Sequence, residues 1–177
     1  MNFLRSIQNR IINGGSDSRR EDMAVHDARA VANQIIACAR AQGRFLTPMQ
    51  ILKLVYISHG WMLGLYGRPL IKQKVEAWQY GPVIGDVYHS LKHYGSGHVM
   101  DQIYSAPPEI FDQQETDLIS QVVNVYKDWD GITLSNWTHQ PDSPWDITWR
   151  QNGRNSVIST DIIQAYFNRL AHESARQ

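Results

Sequence analysis

Cysteine is nearly missing from this chain. Cys38 is the single one in 177 residues, so no disulfide can form within it and the fold must rest on packing, as suits a reducing cytoplasm. An excess of charge of either sign is missing too. Lys+Arg and Asp+Glu number 17 each, for a formal net charge of zero. That removes the whole-chain basic footprint of a stand-alone nucleic-acid binder while leaving room for a local patch. No apolar run reaches the roughly 18 residues that a membrane span needs. Near the start, Arg and Gln separate Phe3-Leu4 from Ile11-Ile12, which is unlike the apolar centre of a secretion signal. There is no internal repeat, no low-complexity tract and no strand–glycine loop–helix context for a phosphate cradle.

What is present is an ordinary globular composition, 42% hydrophobic and 19% charged, with six Trp and eight Tyr. A chain of this length suits one domain that buries about two-thirds of its unfolded surface. Residues 1–22 stand apart. Phe3, Leu4, Ile7 and Ile11 fall at helical spacing with Arg5 and Arg10 between them, and Asn13 to Ser18 reads as a linker. Two readings stay open: an amphipathic segment for a partner or surface, or a loose extension with Met23 starting the domain proper. The expected division is thus 1–22 as an N-terminal extension and 23–177 as the domain.

Within that domain the pattern is helical. Ala24 to Gln42 carries an apolar face of Val25, Ala28, Ala32, Ile35, Ile36 and Ala39, with Gly43 as its stop. Thr47-Pro48-Met49-Gln50 has the form of a capping box with proline at the first helical position, and the helix it opens, to Tyr66, is apolar on nearly every face. Such a helix is central. Gly60 and Gly64 allow another element to approach it closely. After a turn at Gly67-Arg68-Pro69, the partial alternation of 70–80 suggests a short strand or hairpin. Gly81-Pro82 is expected to end it and start a helix carrying Val83, Val87 and Tyr94 on one flank and Ile84, Tyr88 and Leu91 on the next. Asp112 with Glu115 caps a further helix whose core face is Leu118, Ile119, Val122, Val123, Tyr126 and Trp129, and Gly131 is expected to close it. A short helix near 133–139, a polar loop at 151–155 and a last helix from Thr160 complete the chain. The fold class expected is mainly α: a single compact domain of about six helices with a short strand or hairpin near 70–80.

Catalytic signals are sparse. His89 and His93 stand four apart, a spacing that two ligands of one metal can use, yet the same residues fit a solvated helix face shared with Asp86 and Lys92. His139, between Thr138 and Ser143-Pro144-Trp145, has the chemistry of a general base, or it caps its loop through hydrogen bonds. Lys53 is a charge in the most apolar helix. It reads either as a catalytic amine or as half of a buried ion pair with Glu76. A helix–turn–helix between 24 and 66 would have a second helix too apolar for a DNA groove.

Taken together, Leu52-Lys53-Leu54-Val55-Tyr56, Gly60-Trp61, Pro69-Leu70, Glu76-Ala77-Trp78-Gln79-Tyr80-Gly81-Pro82-Val83, Val87-Tyr88 and Tyr94-Gly95 resemble the Panacea domain of SocA-like antitoxins. Leu134, Thr138-His139 and Ser143-Pro144-Trp145 resemble the same family's downstream motif. The resemblance runs from about Met23 to Leu170. It implies a largely helical, cytoplasmic antitoxin, often carried on prophages. Such a protein neutralises a toxin encoded nearby by direct protein–protein binding, and in at least one branch it delivers the toxin to a cytoplasmic protease. It supplies no agreed catalytic residues, and its motif leaves out His89 and His93 and so lends a metal nothing; no cofactor is expected, and the neutral charge argues against nucleic acid. The motif residues are then structural or partner-binding. The competing readings are an autoregulatory DNA-binding repressor and a His-dependent or metal-dependent enzyme.

Overall fold

The computed structural model describes residues 25–175, and the segment 1–22 singled out above lies outside that range. The described residues form seven α-helices and a three-stranded antiparallel sheet. In chain order they are α1 (Ala28–Ala41), α2 (Pro48–Tyr66), β1 (Glu76–Trp78), β2 (Gly81–Val83), α3 (Gly85–Leu91), a 3-10 turn at Lys92–Tyr94, α4 (Gln113–Tyr126), α5 (Gly131–Thr138), α6 (Pro144–Asn152), β3 (Ser156–Val157) and α7 (Thr160–Ala175).

Helix α2 is the axis of the molecule, as its composition predicts. Thr47 and Gln50 form the reciprocal capping box, with Pro48 in the first turn. Gly67, at φ 66°, ends the helix by donating its N–H to the Leu63 carbonyl at 3.0 Å. Residues from Ile51 to Gly64 are buried without interruption, so α2 presents nothing to a DNA groove. Its two glycines receive α7. A Cβ on Gly60 would stand 2.2 Å from Phe167, and one on Gly64 would stand 2.7 Å from the Phe167 backbone. Phe167 is fully enclosed and meets Trp61 edge-on at 5.1 Å.

Helix α1 starts four residues later than its apolar face suggests, and Val25 is exposed. Its neighbour His26 leaves the helix to pair with the 70–72 segment, donating to the Leu70 carbonyl and accepting from Lys72 N–H, each at 2.9 Å. The His26 ring meets Glu109 at 2.5 Å and Glu115 at 2.9 Å, and Arg68 reaches Glu115 at 2.9 Å. A polar knot thereby joins the start of α1, the turn after α2 and the start of α4. Each of its buried charges has a partner, which is the condition for burying them.

Two expectations are corrected. Gly81-Pro82-Val83 is a strand, not a helix start: Ala77 lies opposite Pro82, and β2 is an edge of the order β2-β1-β3, where a missing proline N–H costs least. Gly131 opens α5 instead of closing α4, because Asp130 accepts from Thr133 N–H at 2.7 Å while α4 has ended at Tyr126. The described residues hold seven helices, in keeping with the mainly α domain of about six that was expected. The additional one is α6, capped by Ser143, which accepts from Asp146 N–H at 3.2 Å. Beyond it β3 pairs with β1, Val157 opposite Glu76.

Candidate functional site

The hairpin β1–β2, the N-terminal end of α2, the end of α3 and the loop before β3 enclose an open groove of about 510 Å³. Lys53, Trp78, Tyr80, Val83, Tyr88 and Gly95 line it, together with Met49, Leu52, Lys92 and Arg154. Trp78 and Tyr88 meet edge-to-face at 5.0 Å and form an aromatic wall. Tyr80, at the hairpin tip, is 63% exposed. Among the described residues that line the groove there is no Asp or Glu.

The hairpin is held from beneath. Lys53 is 1% exposed and its Nζ donates to the Pro82 carbonyl at 3.2 Å. Burial pushes this amine down to about 7, because desolvation penalises the charged form. The expected ion pair with Glu76 is absent. Glu76 accepts instead from Trp78 Nε1 at 2.8 Å, two residues away on the same strand face. Gly81, at φ 105°, passes directly over the amine: a Cβ there would lie 2.8 Å from both Lys53 Nζ and Thr138 Oγ1. Only glycine combines that dihedral with that clearance.

The downstream residues brace the same hairpin. Ser135 Oγ donates to the Tyr80 carbonyl at 2.9 Å, and Trp145 Nε1 to the Trp78 carbonyl at 2.7 Å. Thr138 Oγ1 donates to Ser135 O at 2.7 Å, while its own carbonyl accepts from Ser143 Oγ at 2.9 Å. His139 stands edge-on to Trp145, centroids 3.9 Å apart, with Nδ1 3.4 Å from Ser135 Oγ. Burial holds its imidazole below the ordinary histidine value and the nearby Lys53 ammonium adds to this, against an opposing pull from the carbonyls of Ser135 and Gln79. Pro144 is buried in the first turn of α6. The two separated motifs thus build one object.

The family model for the SocA-like antitoxin, Panacea domain, matches residues 51–146. The chain is also 30% identical over 147 residues to the protein named antitoxin SocA from Caulobacter vibrioides (strain NA1000 / CB15N), with 77% of each chain covered. The chain belongs to the SocA-like antitoxin family. No solved structure matches it.

All but one of the residues that carry the SocA-like pattern divide into three sets by position. Leu54, Tyr56, Trp61 and Ala77 are core, each no more than 2% exposed. Glu76, Gly81, Pro82, Thr138, His139, Pro144 and Trp145 shape or support the hairpin. Lys53, Trp78, Tyr80, Val83, Tyr88 and Gly95 line the groove. Tyr94 stands beside it, its ring against His93 and its hydroxyl 3.4 Å from Asp101. The paired histidines are separated by a change of element, His89 in α3 and His93 in the 3-10 turn. Among the described residues no group of three His, Cys, Asp or Glu is arranged to hold a metal ion. Sequence reasoning missed Met49, Lys92 and Arg154 as groove residues. Lys92 stood next to the Tyr94-Gly95 motif, but Arg154 carried no signal: only the β3–β1 pairing brings its loop to the hairpin.

Proposed function

We propose that this chain is the antitoxin of a toxin–antitoxin pair and neutralises its toxin by direct binding, with the groove and the hairpin tip as the contact surface. Family membership carries the reading. The surface is chosen because the pattern residues converge there and leave Trp78, Tyr80 and Tyr88 facing the groove. Aromatic side chains at the centre of a contact dominate binding energy. No chemical step is assigned to His139, whose ring is engaged by Trp145 and Ser135.

The body that does this is residues 23–177, with 1–22 as an appendage. Co-expression with the neighbouring reading frame tests the whole. The neighbour alone should arrest growth, the pair should grow, and the two proteins should co-purify. Rescue without co-purification, or a harmless neighbour, contradicts direct neutralisation. The toxin's half-life in rescued cells separates masking from delivery to a cytoplasmic protease: masking leaves it long-lived, delivery shortens it. Repeating the rescue with a chain that starts at Met23 tests the division.

A further inference from the structure

The groove has a chemical character that narrows what it can take. Its apolar lining includes Met49, Leu52 and the Trp78–Tyr88 pair, whose rings meet edge-to-face. Its charges are all of one sign. Lys92 and Arg154 in its lining are exposed, Lys53 is buried, and no Asp or Glu lines the space. Among the described residues neither Lys92 nor Arg154 is in a salt bridge, although the chain forms such pairs elsewhere, Arg150 with Asp146 at 2.9 Å among them. Arg154 instead leans over the Trp149 ring at 5.9 Å. Two exposed lining cations without a salt bridge among the described residues, in a chain of zero net charge, are a local field of one sign. Such a field selects partners by complementarity and speeds their encounter.

We infer that the groove receives a segment of the toxin chain in which one or more carboxylates flank a large apolar side chain, the apolar group lying against Trp78 and Tyr88 and the carboxylates between Lys92 and Arg154. This rests on the antitoxin reading and adds the chemistry of the segment recognised. The chain's own residues 1–22 fit less well, since Arg5 and Arg10 interleave their apolar positions and would repel the rim.

The test uses the full chain and the co-purifying toxin. Binding is measured for wild type, K92E/R154E and R169E, with thermal unfolding of each as a control on folding. The double reversal should weaken binding about tenfold or more, chiefly through slower association, and association of the wild type should slow as salt rises. R169E, on α7 and outside the groove, should stay within about twofold, because screening confines a surface charge to its neighbourhood. Overlapping synthetic peptides of the toxin are then used as competitors, and the strongest should carry Asp or Glu beside Trp, Phe or Leu. Unchanged binding by a well-folded K92E/R154E, or a strongest competitor without an acidic residue, overturns the inference and leaves the antitoxin reading standing. A wild type that neither binds nor neutralises the toxin removes both.

Discussion

Lys53 Nζ lies 3.2 Å from the carbonyl oxygen of Pro82. That contact fastens the most deeply buried helix to the hairpin that walls the groove, and it does so without a carboxylate. An ammonium of this kind is a cost to stability that its position in the site explains.

Stability should therefore depend on pH in a defined window. The amine falls to about 7 in the folded chain from an ordinary 10.5. Between those values the unfolded chain holds a proton that the folded chain has released, so stability rises with pH, by about 1.4 kcal/mol per unit at most. Above about pH 10 the buried phenols of Tyr56 and Tyr126, both raised by desolvation, reverse the trend. Lys53→Met should flatten the rise between about pH 7 and about pH 9.5 and be more stable than wild type at about pH 6. Urea unfolding across that range checks both, and a slope that persists in the variant would show that another group sets it.

On the acid side His59 should dominate. Its Nδ1 accepts from the N–H groups of Leu70 at 3.2 Å and Ile71 at 3.4 Å, and burial pushes it down to about 4 from 6.5. Its contribution is complete above about 6.5 and is lost as pH falls toward 4, since the unfolded imidazole takes a proton that the folded one refuses. Asp27, held below the usual carboxylate range chiefly by its hydrogen bond from Arg29, acts in a separate, lower window. His59→Gln keeps an acceptor and should reduce the slope of stability between about pH 4 and about pH 6.5, leaving the share of His139, whose imidazole burial also holds below its ordinary value. Acid titration of the melting temperature reads this directly.

Phe167 and Gly60 should be energetically coupled. Phe167→Ala opens a cavity in the α2–α7 contact and should cost about 3–5 kcal/mol. Gly60→Ala places a methyl 2.2 Å from the ring position and should cost about 1–3 kcal/mol by overpacking. In the Phe167→Ala background that methyl has room, so the double variant should be more stable than the sum of the two costs implies. Strict additivity would mean that the two residues do not meet as described.

Much of this was legible in the chain and some was not, for physical reasons. Thr47-Pro48-Met49-Gln50 announced the start of α2 because capping is local chemistry. Gly60 and Gly64 announced a close approach but not its occupant, which lies a hundred residues downstream at Phe167. Glu76 as the partner of Lys53 failed because a buried charge requires acceptors, not a particular acid, and a backbone carbonyl served. Gly81-Pro82 marks a turn equally well before a helix or inside a hairpin, and the sheet partner decides which. Ser143-Pro144 with Asp146 carries the same kind of start signal as Thr47-Pro48, yet no helix was assigned there, and α6 was missed. Lys92 and Arg154 come together only through tertiary pairing, so the rim of the groove left no mark in the sequence.

Trp145 offers a separation of support from contact. Its Nε1 donates to the Trp78 carbonyl at 2.7 Å and so ties α6 to the hairpin. Trp145→Phe keeps an aromatic ring but removes that hydrogen bond and part of the packing, and should cost about 1–3 kcal/mol of stability. Tyr80→Ala removes an exposed group and should leave stability within about 0.5 kcal/mol of wild type, while toxin affinity falls. Equal loss of stability in both variants would contradict this division of labour.

The most direct measurement is amide hydrogen exchange of the full chain alone and in complex with its co-purified toxin. The expected result is new protection concentrated in the β1–β2 hairpin from Glu76 to Val83, the 92–95 turn and the 153–155 loop with the adjoining β3, with α7 unchanged. Protection confined to other surfaces, with the hairpin exchanging as fast as in the free chain, would contradict the groove as the site of neutralisation.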